Sequence, residues 1–182
     1  WDVSRVRDMS YMFCGATSCN QDLSGWDVSS VTNMRAIFSN AISFSQDLSG
    51  WDVSRVRDMR YMFRNATSFN QDISGWNVSS VRNMNAMFRG ASSFNQDLGR
   101  WDVSRVMDMD DMFHGALVFN QDLSAWNVQN VLDMYNIFYS TALKKHIQRT
   151  RNVSSFFEGV YRFMSREERR QVFAAVFRWQ RR

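Results

Sequence analysis

The sequence predicts an α/β repeat solenoid: a short parallel strand plus a short helix in each 25-residue coil, with a helical C-terminal cap. Three observations predict it. Trp1, Trp26, Trp51, Trp76, Trp101 and Trp126 stand 25 residues apart, so six of the seven tryptophans share one period. Inside each repeat the apolar spacing changes from that of a strand to that of a helix. After Ala142 the pattern is lost and the composition turns basic. One repeat alone cannot bury both its Trp and its Met-Phe face, whereas stacked neighbours can.

The strand is read from Leu23, Trp26 and Val28, which puts Trp and Val on one side of an extended segment. Such strands would pair between coils at about 4.8 Å, giving a narrow parallel sheet roughly 25 to 30 Å long over six coils. The helix is read from Val31, Met34, Ile37, Phe38 and Ala41, which share one helical face. Ser29 or Ser30 is placed to cap it. Asn33, and in sister repeats Asp8, Asp58, Asp108 and Asp133, fall in its first turn, where negative charge is favourable. The loop that follows, for example Phe69-Asn70-Gln71-Asp72, repeats Asn-Gln-Asp down the stack. These side chains are expected to satisfy loop backbone groups. A 50-residue period overlies the first: Tyr11 and Tyr61 alternate with Ala36 and Ala86, and Arg5, Arg55 and Arg105 with Ser30 and Ser80. Bulky and small residues should therefore alternate along the stack.

Two domains follow: a six-coil solenoid over 1–142 and a basic amphipathic helical cap over 143–182. In the second, Val153, Phe156, Phe157, Val160, Phe163 and Met164 form one apolar face. Ser165-Arg166-Glu167-Glu168 is a capping box that precedes Val172, Phe173, Val176 and Phe177. No matching cap precedes Trp1, so that end is expected to be covered by further sequence or by a partner. The chain opens on Trp1 inside a repeat without an initiator Met, which reads as a processed or incomplete product.

An apolar fraction of 45% excludes a disordered chain. No run of 18 apolar residues marks a membrane helix. Residues 1–143 hold 11 arginines against 15 aspartates, a net of −4; residues 144–182 hold 11 basic residues against three glutamates, a net of +8. An acidic body carries a basic tail. Cys14 and Cys19 lie outside the repeat pattern and read as free thiols, a local disulfide being the alternative.

The run W-[DN]-V-S-x-V-x-[DN]-M-x-x-[MI]-F-x-x-A-x-x-F-N-Q-D-[LI]-S-G stands in full at Trp51-Asp52-Val53-Ser54, Met59, Met62-Phe63, Ala66 and Phe69 to Gly75. It resembles the BspA-like leucine-rich repeat, also described as a mycoplasma domain of unknown function, over residues 1 to 142. The resemblance implies a leucine-rich-repeat-like solenoid and a role in binding other proteins at a surface. The basic tail departs from that pattern.

Candidate contact residues fall in three groups. Asp2, Asp27, Asp52 and Asp102 form an acidic row beside the strands. At that spacing neighbouring carboxylates repel by roughly 1 kcal/mol per pair. Either the row of Arg5, Arg55 and Arg105 neutralises them or a basic partner does. Arg57, Arg60, Arg64, Arg82 and Arg89, with Arg7 and Arg35, form a strip on the helix surface that is either solvated or docks an acidic partner or lipid headgroups. Asp110 and Asp111 reverse its sign, which suits oriented docking. Arg169, Arg170 and Arg178 belong to the tail, whose mixture of Arg with Phe and Trp179 also fits a membrane surface. Nucleic acid is disfavoured, because no recognised binding motif is present. No enzyme motif accompanies His114 or His146, and neither cofactor nor metal is expected. The expected function is a non-enzymatic protein-binding or scaffolding module; the alternative is a permanent structural subunit of a large assembly, anchored by its basic tail. The compartment stays open between the cell surface and an organellar or assembly-bound location.

Overall fold

The computed structural model describes residues 1–142, which form a stack of 25-residue coils. Coils 1 to 5 begin at Trp1, Trp26, Trp51, Trp76 and Trp101, and coil 6 runs from Trp126 to Ala142. The expected cap over 143–182, with Arg169, Arg170 and Arg178, lies outside the described residues.

The stacking is as the period requires, but the expected strand-plus-helix coil is wrong. Among the described residues there is no helix and no extended strand, only single-residue parallel bridges that join Asp8, Asn33, Asp58, Asn83, Asp108 and Asp133 in succession. The stretch read as a helix is a chain of tight turns whose N–H groups point alternately along the stack and back along the chain. In coil 2, Met34, Ala36, Phe38 and Asn40 donate to the carbonyls of Asp58, Arg60, Met62 and Arg64 in coil 3, at 3.0, 2.8, 3.0 and 2.6 Å. Between them Ile37, Ser39 and Ala41 donate to the carbonyls three residues back, at 3.3, 3.1 and 3.0 Å. A helix would send every one of these donors four residues back.

Two residues per coil lock this alternation in place by taking a left-handed backbone. They are Tyr11, Ala36, Tyr61, Ala86, Asp111 and Asn136 at one position, and Gly15, Asn40, Asn65, Gly90, Gly115 and Ser140 four residues later. Positive φ at the third residue of a four-residue turn belongs to the type II geometry and is incompatible with a continuing helix. A spacing of i, i+3 is shared by tight turns and helices. The apolar pattern of Val31, Met34 and Ile37 therefore fits either.

The stretch read as a strand also turns. Trp51 donates from its backbone to the Leu48 carbonyl at 3.0 Å, and Val56 to Val53 at 2.9 Å. The inter-coil pairing thus sits on the opposite part of the coil from where the sequence predicts it. The expected Ser29 cap is replaced by an Asx turn, in which the Ser29 N–H donates to Asp27 Oδ1 at 3.0 Å.

The core is two columns of phenylalanine flanked by one of tryptophan. Phe13, Phe38, Phe63, Phe88 and Phe113 stack with centroids 5.5 to 5.6 Å apart. Phe44, Phe69, Phe94 and Phe119 form a second column at 5.9 to 6.2 Å. Within a coil the two columns meet face to face, Phe63 lying 3.9 Å from Phe69. Each such ring pair adds about 0.5 to 1.5 kcal/mol to the burial of its apolar area. The indole Nε1 groups of Trp51, Trp76, Trp101 and Trp126 donate to the carbonyls of Leu23, Leu48, Ile73 and Leu98, at 2.8 to 3.1 Å. The tryptophan column therefore carries polar bonds between coils inside an apolar core.

Candidate functional site

The acidic row is spent on local structure. Asp2, Asp27, Asp52 and Asp102 are exposed, and each accepts at Oδ1 the N–H of the serine two residues on: Ser4, Ser29, Ser54 and Ser104, all at 3.0 Å. The hydroxyl and N–H of that serine hold each carboxylate below its ordinary value. At Asp27 this outweighs the opposing charges of Asp2 and Asp52. Arg55 and Arg105 add a smaller lowering at Asp52 and Asp102. The arginine row thus plays a minor part, and short hydrogen bonds within each turn do most of what the sequence assigned to it.

The Asn-Gln-Asp row is likewise structural, as expected. Asn20, Asn70 and Asn95 accept the N–H of Ser45, Asn95 and Asn120 in the next coil at 2.8 to 2.9 Å. Gln96 and Gln121 donate to the carbonyls of Asn70 and Asn95.

What remains is the outward side of the turn ladder. In coils 1 to 4 it carries Arg7, Arg35, Arg57, Arg60, Arg64, Arg82 and Arg89 against the two aspartates Asp8 and Asp58. In coils 5 and 6 the corresponding positions carry Asp108, Asp110, Asp111 and Asp133 with no arginine or lysine, and Met107 and Leu132 stand where Arg57 and Arg82 stood. One face therefore has a cationic part and an acidic part.

The cationic part is ordered by the 50-residue alternation. The Arg35 guanidinium lies between the rings of Tyr11 and Tyr61, 5.4 and 5.8 Å from their centroids, in the space left by Ala36. Arg64 lies 5.7 Å from the Tyr61 ring. Such cation–π contacts fix a long side chain while leaving its charge without a counter-ion. The Nε atoms of Arg35 and Arg64 are covered and have no hydrogen-bond partner among the described residues. Arg60 forks onto Asp58, with Nη2 2.6 Å from Oδ2 and Nε 3.1 Å from Oδ1. Arg89 pairs with Asp111, where the two parts of the face meet. Among the described residues, Arg7, Arg35, Arg57, Arg64 and Arg82 have no acidic group in salt-bridge range.

In the acidic part, burial pushes the Asp110 carboxyl up to about 6, helped by the charges of Asp133, Asp111 and Asp108. His114 Nδ1 lies 3.0 Å from Asp111 Oδ1. Among the described residues no group of three or more His, Cys, Asp or Glu is placed to hold a metal ion, and no helix is long and apolar enough to cross a membrane. Cys14 and Cys19 are free thiols.

Sequence reasoning found the arginine strip but missed that Tyr11 and Tyr61 fix Arg35. The Tyr–Ala alternation was the available signal. The structure brings Arg57, Arg60, Arg64, Arg82 and Arg89 onto one face, and keeps Asp2, Asp27, Asp52 and Asp102 apart as turn anchors.

A stack of tandem turn coils with a fully absorbed core and a charged ladder face defines a repeat protein. The chain belongs to the family described as Mycoplasma protein of unknown function, DUF285, whose model matches twice, over residues 1–88 and 72–171. No curated protein matches the chain, and no solved structure does.

Proposed function

We propose that the chain is a non-enzymatic protein-binding or scaffolding module whose contact surface is the outward side of the turn ladder. The observation that carries this is the set of arginines held on a regular backbone without acidic partners among the described residues: Arg35 clamped between two tyrosines, with Arg57 and Arg82 exposed. Preorganised charge without an internal counter-ion favours an external one, because little side-chain entropy remains to be lost on binding. Kinship to the BspA-like surface proteins belongs to the same proposal, supported by the W-[DN]-V-S-x-V-x-[DN]-M run. The net +8 of residues 144–182 supports a second reading, a permanent structural subunit of a large assembly anchored through that segment.

The test is native purification at moderate salt, with mass by light scattering and mass spectrometry of whatever co-elutes. A chain that travels as a 21.4 kDa monomer and rebinds its co-eluting protein reversibly supports the binding module. A chain found only in a large complex, and released from it only by high salt, supports the structural subunit.

A further inference from the structure

We infer that coils 1 to 4 of the ladder face bind a short acidic polypeptide segment lying along the stack, with a basic end over coils 5 and 6. The inference rests on the binding-module reading and names the chemistry of its partner. Three features of the face carry it.

The first is uncompensated charge. Arg7, Arg57 and Arg82 occupy the same position in coils 1, 3 and 4, all exposed and, among the described residues, all without a salt bridge, as are Arg35 and Arg64. Their backbones are fixed between coils: Arg57 donates to the Thr32 carbonyl and Arg82 to the Arg57 carbonyl, each at 2.9 Å. Carboxylates laid along this row would meet guanidinium groups at the coil spacing of about 4.8 Å. Guanidinium binds carboxylate through paired N–H donors.

The second is the length of the row. Three coil spacings give about 14 Å, the span of four or five extended residues. That footprint fits a short segment.

The third is the sign reversal. Asp108, Asp110, Asp111 and Asp133 continue the same face. Nucleic acid and an anionic bilayer both present one sign of charge over a longer distance, so either would set phosphates against these carboxylates. A segment that changes from acidic to basic meets opposite charge along its whole length, in one orientation only.

The experiment measures fluorescence anisotropy of a labelled peptide, a run of glutamates ending in lysines, against the full 182-residue chain at about 0.1 M salt. Comparison ligands are an all-glutamine peptide, an oligothymidylate and phosphatidylserine vesicles. Variants are Arg57→Glu with Arg82→Glu, the milder Arg57→Gln with Arg82→Gln, and Arg169→Glu with Arg170→Glu as a tail control. Tryptophan fluorescence checks that each folds.

The expected result is saturable binding of the glutamate–lysine peptide. It weakens at least about tenfold in the Glu pair, less in the Gln pair, and little in the tail pair. The inference is overturned if the peptide binds no better than the glutamine control, or if the tail pair loses as much affinity as the ladder pair. It is also overturned if oligothymidylate or vesicles bind with the same dependence on Arg57 and Arg82. Each of those outcomes leaves a reversible, co-eluting protein partner possible through another surface, so the binding-module reading stands or falls separately.

Discussion

Coil 1 and coil 3 differ at five of 25 positions, and Trp1 to Met9 recurs unchanged as Trp51 to Met59. Their environments nevertheless differ at several core positions. Trp1 is 93% exposed and Trp51 3%; Met12 is exposed and Met62 sealed; Phe13 is half-buried and Phe63 fully buried. The residues are the same, so burial here is a property of neighbouring coils. Phe63 has aromatic rings from the coils on both sides, whereas Phe13, among the described residues, has them from coil 2 only. The stability of a stacked repeat therefore resides in its interfaces, and identical substitutions should have unequal effects.

The largest inequality is expected at the phenylalanine column. Phe63→Ala should cost about 3 to 5 kcal/mol in urea unfolding, through lost transfer energy and a cavity that rigid ring stacks cannot fill. Phe13→Ala should cost under about half of that, because its site is already open on one side. Equal losses would mean that coil 1 is covered by something in solution.

Next comes the indole bond. Trp76→Phe removes the indole donor from the Leu48 carbonyl, which keeps the Trp51 N–H, and leaves a gap beside the smaller ring; it should cost about 1 to 3 kcal/mol. Trp1→Phe, at an exposed site, should fall within about 0.5 kcal/mol of zero. Glycine gives a smaller contrast. At Gly90, φ is +70° and an added Cβ would collide with Asn65 Oδ1. Gly15, at +73°, has open space around the same position. Gly90→Ala should cost about 2 kcal/mol and Gly15→Ala about 1, the latter being backbone strain alone.

The smallest effect contrasts the turn-anchoring aspartates with the acidic part of the ladder face. The serine-bonded aspartates have lowered values in the folded chain, so their contribution is present above the ordinary 3.8 and is lost as pH falls below it. Asp110 runs the other way. Its folded value of about 6 exceeds 3.8, so between those pH values the folded state holds a proton that the unfolded state releases, and stability rises as pH falls. A scan of melting temperature should show Asp110→Asn flattening this slope and raising stability at pH 7 by roughly 1 kcal/mol or less, since the group is partly solvated. An unchanged slope would remove Asp110 as its source.

The stacking register and the inward residues were legible in the sequence, because a strict 25-residue period admits one register, and Trp51, Val53, Met59, Phe63 and Phe69 all turned inward. The turn ladder was not. Val31, Met34, Ile37 and Phe38 satisfy a helix and a run of tight turns equally, since both return the chain every three residues or so. The column of Gly15, Asn40, Asn65, Gly90 and Gly115 held the deciding signal, as glycine and asparagine are the residues that tolerate positive φ. Of the candidate site, the arginines could be read as charge. The turn-anchoring role of Asp27 and Asp52 could not, because an Asx turn and a free acidic row share the same Asp-x-Ser spelling.

The Tyr11–Arg35–Tyr61 clamp bears on how such genes change length. Unequal crossing-over between repeats removes or adds whole multiples of 25 codons, and any such event keeps the backbone bridges in register. The clamp, however, belongs to coils 1 to 3 alone: loss of coil 2 would set Tyr11 directly beside Tyr61 and remove the arginine between them, whereas loss of coil 4 would leave it whole. Recombinants that lose a coil beyond the third should therefore retain the clamp, and those that lose one of the first three should keep the stack without it.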